Sequence, residues 1–164
     1  MKLRIKNKFD IFAEGSKVLD ENGNLVYNVK GKFISPTRKK KIYNTDGQLL
    51  FIIRNKFWHA FTRKCLIYDG NKKLVAYIKN KPFSFKDKFI VEGYAEEIKF
   101  EGAFFDRTMA IYAGDRVIGT VRRDFTLFLD AFELDALDDY APFLTALVIG
   151  IDNITDSRNK ANRK

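Results

Sequence analysis

Nucleophilic catalysis, structural zinc and disulfide bonding all draw on residues this chain hardly has: one cysteine, Cys65, and one histidine, His59, in 164 residues. A lone cysteine closes no internal disulfide. In the alternating run RKCLIY it reads as a small strand hydrophobe, which predicts a reducing compartment, the cytoplasm. Structural zinc takes four Cys/His ligands, and the turn DENGN lacks the twelve-residue calcium-loop pattern, so no metal ligand is assigned. His59 sits in FWHAF beside Trp58, and two positions six apart in or near one strand do not generally meet as base and nucleophile. Neither a Walker-type GK[ST] nor a glycine fingerprint opening a helix occurs, which argues against nucleotide hydrolysis. The carboxylate pairs Glu96-Glu97 and Asp138-Asp139 are explained by a hairpin turn and a helix start. The expectation is a non-enzymatic protein with no catalytic residue, no cofactor and no metal.

Long apolar runs are also missing. Residues 141–151, the longest mainly apolar stretch, are about half of the roughly 20 residues that span a bilayer, so no transmembrane segment is expected. The N-terminal run MKLRIKNKF alternates charge with apolar residues and does not have the form of a signal peptide. What is abundant is aromatic and β-favouring: 16 Phe and 7 Tyr in a chain 46% hydrophobic. That is enough apolar material for one core, and it leans towards strands. A single domain over residues 1–156 is expected, followed by a basic tail, SRNKANRK (157–164), which has no apolar anchor and should fray.

The turn glycines Gly23, Gly47, Gly70 and Gly114 line up an internal repeat. Ile42-Tyr43, Ile67-Tyr68 and Ile111-Tyr112 precede three of them. Each turn is followed by an alternating run that ends in a β-branched residue and a base: Val29-Lys30, Ile53-Arg54, Ile78-Lys79 and Val121-Arg122. An Asn/Asp/Gly turn between period-2 runs is the sequence form of a β-hairpin. With a further hairpin in FIVEGYAEEIKFEG and strands in FDIFAEG and FTLFLDAFEL, the count reaches about a dozen. That many strands must split into two sheets or close into a barrel, and a barrel of that size needs something to fill it.

The segment YAPFLTALVIGIDNITDS supplies the filling. Asp138 and Asp139 suit a helix N-terminus, Pro142 fits its first turn, and Phe143, Leu144, Leu147, Val148, Ile149, Ile151 and Ile154 leave no polar stripe. A helix apolar all round is buried all round. The fold expected is therefore mainly β: a closed antiparallel barrel of about twelve strands around a central hydrophobic C-terminal helix, at about 139–155.

VYNVKGKFIS, the IYDG turn, AYIKNKPFSF, FIVEG and the closing APFLTALVIGID resemble the LURP-one-related family of the Tubby C-terminal-like group, over about Phe9 to Ile154. The resemblance implies a twelve-stranded antiparallel barrel threaded by a C-terminal helix. It implies kinship with Tubby proteins, which bind phosphoinositides, and with scramblases, which act at membranes. It carries over no catalytic site and no ligand residues.

The net charge is +9, and the excess is one-sided: residues 1–91 hold 21 Lys/Arg and 7 Asp/Glu, leaving 9 and 14 for the remainder. Between 30 and 41 stand Lys30, Lys32, Arg38, Lys39, Lys40 and Lys41 with no acid among them, and Arg54 and Lys56 begin a second acid-free run. Because the repeat puts bases at equivalent hairpin ends, these residues are the candidate anion patch. The leading partner is an anionic phospholipid or phosphoinositide headgroup, with the protein peripheral to the membrane. Nucleic acid, stacking on Phe33, Tyr43, Phe57 and Trp58, is the alternative; a protein scaffold with no anion ligand is the third. On this reading Lys40→Asp is nearly silent for folding.

Overall fold

The computed structural model describes residues 1–6, 15–31, 37–56, 64–80, 89–102, 108–126 and 129–161. Among the described residues twelve strands follow in chain order: β1 (Lys2–Lys6), β2 (Gly15–Asp20), β3 (Leu25–Gly31), β4 (Lys40–Tyr43), β5 (Leu49–Lys56), β6 (Lys64–Asp69), β7 (Leu74–Asn80), β8 (Phe89–Glu92), β9 (Ile98–Gly102), β10 (Met109–Ala113), β11 (Arg116–Thr126) and β12 (Leu129–Ala136). A 3-10 turn, Asp138–Tyr140, then leads into α1 (Ala141–Ala161). All strands belong to one antiparallel sheet ordered β8-β7-β6-β5-β4-β3-β2-β1-β12-β11-β10-β9. The order is the chain order wound into a ring, with β1 against β12, and its ends are β8 and β9, which are consecutive in sequence.

That break corrects the expected FIVEGYAEEIKFEG hairpin. β8 and β9 lie near each other but share no ladder among the described residues, so the barrel is nearly closed and has a seam. Aromatic packing from the start of the helix fastens the seam's linker. Tyr94 stacks on Phe143 with ring centroids 3.8 Å apart. The Tyr140 hydroxyl donates to Glu96 and accepts from Arg116 at 2.6 Å.

One other strand assignment changes, and one falls outside the described residues. The first strand is Lys2–Lys6, whereas FDIFAEG lies outside the described residues apart from Gly15. FTLFLDAFEL is not one strand but the junction of β11 and β12, where Thr126 pairs with Leu129. The two residues between them in sequence, Leu127 and Phe128, include no Gly, Asn or Asp to mark a turn.

The repeat is real, and its register differs at one member. In three hairpins an Asx residue opens the turn: Asp20, Asn44 and Asp69 each accept from the backbone N–H four residues on, at 2.8, 2.8 and 2.9 Å. The residue three positions on has positive φ: Gly23 (+83°), Gly47 (+81°) and Lys72 (+67°). Lys72, not Gly70, is therefore the counterpart of the first two glycines. Gly70 is needed for another reason, since a Cβ there would overlap the Leu49 carbonyl oxygen of the neighbouring strand. Lys72→Gly should raise stability by up to about 1 kcal/mol by relieving a left-handed side chain, a melting rise of about 2–4 °C. Gly70→Ala should cost about 2 kcal/mol or more. A urea titration of both variants checks the revised register.

The Ile-Tyr pairs also acquire a structural meaning. The ladder slips by one residue at Val18/Leu19, Ile42/Tyr43, Ile67/Tyr68 and Ile111/Tyr112. Such a bulge leaves one extra residue on the second strand and increases the local twist. At these sites the residue before each slip, Val18, Ile42, Ile67 or Ile111, is fully buried, and the twist helps wrap the sheet around its core.

α1 occupies that core. Ala141, Leu144, Leu147, Val148 and Ile151 are inaccessible to solvent, as are Ile42, Ile53, Ile67 and Ile78 on the strands around them. At the closest approach, a Cβ on Gly150 would come 2.7 Å from the Ile78 Cδ1 atom and 3.2 Å from the Cys65 Sγ atom. The helix begins at Ala141, two residues later than expected, because Asp138–Tyr140 takes the 3-10 form. It continues to Ala161, well past the apolar stretch. The expected tail is thus helical over its first five residues, and 162–164 lie outside the described residues.

Candidate functional site

Register decides which bases share a face. On β3 to β7 the buried residues Val29, Ile42, Ile53, Cys65, Ile67 and Ile78 point inward, and strand alternation sends their neighbours outward. Three outward rows result. Lys30 pairs with Lys41, which pairs with Ile52, which pairs with Tyr68. Arg54 pairs with Leu66, then Tyr77, then Glu92. Lys56 pairs with Lys64, then Lys79.

Lys30, Arg54 and Lys79 are the equivalent bases of successive repeats, and each stands one row further along than the last. That stagger is what tilted barrel strands require for repeat positions to follow one another around the circumference. Two of these bases cover the tyrosine of the following strand: Lys30 lies over Tyr43 at 5.4 Å and Arg54 over Tyr68 at 5.8 Å. Lys64 and Lys79 both lie over Tyr77, at 6.0 and 5.0 Å. Contacts of this kind are worth about 0.5–1 kcal/mol each at exposed sites. They hold the charged heads in a layer above the rings. Ile52 faces outward by register yet is only 7% exposed, which fits the long basic stems beside it lying flat across the sheet.

The rows contain like-charge pairs directly opposite one another, Lys30 with Lys41 and Lys56 with Lys64, an arrangement that opposes folding. No ion pair joins Lys30, Lys41, Arg54, Lys56 or Lys64 to a carboxylate among the described residues. Lys64 and Lys79 complete this face through strand pairing; the repeat aligns Lys79 with Lys30 and Arg54, whereas no motif marks Lys64. Lys39 is exposed just ahead of β4. Lys32 lies outside the described residues, as do Phe33, Phe57, Trp58 and His59.

Arg38 and Lys40 do not join the outer face. Arg38 has φ +45°; its guanidinium donates to the Asn153 carbonyl at 3.5 Å, and its own carbonyl accepts from the Asn153 side chain at 3.3 Å. Asn55 donates to the same Asn153 carbonyl at 3.3 Å. Lys40 pairs with Gly31 and Ile53, which puts it on the inner face, where its charge acts on Cys65. These side chains belong to a polar collar around the buried polar part of α1, where Asp152, Asn153 and Thr155 are all less than 9% exposed. Lys40→Asp is therefore not silent. It should lower stability by about 1–3 kcal/mol, whereas Lys41→Asp, one residue on and pointing outward, should leave the melting temperature unchanged; thermal denaturation of the pair tests the alternation.

Cys65 is fully buried. Desolvation pushes its thiol up to about 12, with Lys40 opposing the rise, so at neutral pH it carries no thiolate to act as a nucleophile. Away from the basic face, a groove of about 610 Å³ is lined by Arg4, Asp20, Arg122 and Glu133 among others. It mixes both signs of charge, and Arg122 is held there by Glu133. Among the described residues no helix is long and apolar enough to cross a membrane.

A family model described as LURP-one-related matches residues 1–152. No curated protein matches the chain. Among solved structures, an X-ray structure of a protein from Arabidopsis thaliana is similar, with a TM-score of 0.58 at 17% identity over 92% of this chain and 90% of that one. At that identity the likeness speaks to the fold alone.

Proposed function

The chain belongs to the LURP-one-related family, and on that premise we propose that it is a non-enzymatic domain that docks on anionic phospholipid or phosphoinositide headgroups through the outer face of β3 to β7. The observation that carries this reading is that Lys30 faces Lys41 and Lys56 faces Lys64 with no carboxylate partner among the described residues. Bases set directly opposite one another and left without carboxylates cost folding energy, and a dense anionic surface removes that cost when it binds. The protein would then be cytoplasmic and peripheral to the membrane, drawn to the leaflet by charge and with no inserted segment.

The tyrosines weigh against single-stranded nucleic acid. Base stacking needs open ring faces, and Tyr43, Tyr68 and Tyr77 each have a basic head above the ring. The protonated thiol of Cys65 supports a non-catalytic role.

Flotation with vesicles of neutral lipid, of anionic lipid and of phosphoinositide-bearing lipid, run beside a gel shift with single-stranded nucleic acid, tests the proposal. Recovery with both kinds of charged vesicle and not the neutral ones is expected. A shift of nucleic acid without flotation would transfer the face to the alternative ligand, and neither signal at physiological salt would favour a protein scaffold.

A further inference from the structure

The lysine row Lys56, Lys64, Lys79 is not uniform. Its first two members have no carboxylate partner among the described residues, while Lys79 donates to both carboxylate oxygens of Glu92, at 2.8 and 2.9 Å. Tyr77 donates its hydroxyl to the same carboxylate. Among the described residues, Glu92 is the one acid that the register brings onto this row and the neighbouring Arg54–Leu66–Tyr77 row. It projects from β8, a strand at the edge of the sheet that is laddered on one side only. Lys79, Tyr77 and the more distant charge of Lys64 hold its carboxyl below the usual carboxylate range, so at neutral pH it is fully an anion. A planar group with two charged oxygens, gripped by one ammonium and one phenol hydroxyl, presents the same contacts that two phosphate oxygens would make.

We propose that Glu92 is a built-in stand-in for headgroup phosphate, occupying the Lys79–Tyr77 end of the basic face in the free protein and giving it up when the face meets an anionic membrane. The inference rests on the docking role proposed above and adds a regulation to it. Lys30, Lys41, Arg54, Lys56 and Lys64 make the first contact, and Lys79 is a latent base whose contribution the protein itself competes away. The gate does not respond to pH near neutrality, since the carboxylate stays charged there. It responds to the density of competing phosphate.

Glu92→Gln keeps the size of the side chain and removes its charge. Its binding to phosphatidylcholine vesicles containing phosphatidylserine should be about fivefold tighter than that of the wild type, the gain from one more lysine at an anionic leaflet. Glu133→Gln is the control: it raises the net charge equally and frees Arg122 on β11, away from the face, and should leave the affinity near wild type. Lys79→Met placed on Glu92→Gln should cancel the gain, as a double-mutant cycle requires of a direct partner. If Glu92→Gln binds like the wild type, or if the two Glu→Gln variants gain together, Glu92 is an ordinary surface ion pair and the gate is overturned while the docking role stands. If neither wild type nor Glu92→Gln binds, both fall. Binding by Glu92→Gln alone would mean that the stand-in shuts the face completely.

Discussion

Leu147→Asp is expected to leave no folded protein. Leu147 lies in the second turn of α1 with no exposed surface, and the helix packs against β5, β6, β7 and β12. Truncating a core leucine alone costs about 2–5 kcal/mol. A carboxylate in its place also has no water and no partner, adding several kcal/mol more or forcing its protonation. The sum, about 5–10 kcal/mol, is comparable with the roughly 5–15 kcal/mol that holds an ordinary domain together. Near-UV circular dichroism should be featureless, and the product should aggregate on expression. Removing residues 138–164 altogether should give the same outcome, since the inner faces of the strands would then line an empty barrel. A truncated chain with native near-UV dichroism would refute the role of the helix as the core.

Neutralising Lys41, Arg54, Lys56 and Lys64 together to Gln should abolish binding to anionic vesicles while leaving the fold intact. Each base near an anionic leaflet is worth about 1 kcal/mol, so four amount to about a thousandfold. The melting temperature should stay near the wild-type value, because relief of the opposed Lys56–Lys64 and Lys30–Lys41 charges offsets the loss of the Arg54 and Lys64 contacts with Tyr68 and Tyr77. That combination separates docking from stability. Reversing Arg38, Lys39 and Lys40, the set that sequence proximity alone suggests, would confuse the two, since Arg38 is bonded to Asn153 of the helix and Lys40 is on the inner face. Undiminished flotation of the four-site variant, with an unchanged melting curve, would mean that this face does not touch the membrane.

Much of the architecture was legible in the chain because it rests on local chemistry. Period-2 runs separated by Asx turns announce hairpins, and a segment without a polar stripe announces a buried helix. Where the structure departs from the local pattern, each departure has a physical cause. The turn at 69–73 looked like its siblings at Gly70, whereas the positive φ falls on Lys72, a residue type that does not advertise it. The β11–β12 connection carries no turn residue. The β8–β9 connection carries a glycine, Gly93, yet joins the two ends of the sheet instead of forming a ladder, because the ring leaves its one gap there. For the candidate site, the repeat indicated a base at each hairpin end, and the structure carries Lys30, Arg54 and Lys79 around one face.

The sequence by itself determined that this is a basic, mainly β chain wrapped around its own apolar helix, since burial patterns and turn chemistry are written residue by residue. Only the tertiary structure decided which bases act together. Neighbours in sequence alternate between the two faces of a strand, so Lys40 and Lys41 part company, while Lys56, Lys64 and Lys79, distant in the chain, meet through strand pairing. Side-chain direction is a property of register, and register is set by the partner strands and by the core they enclose.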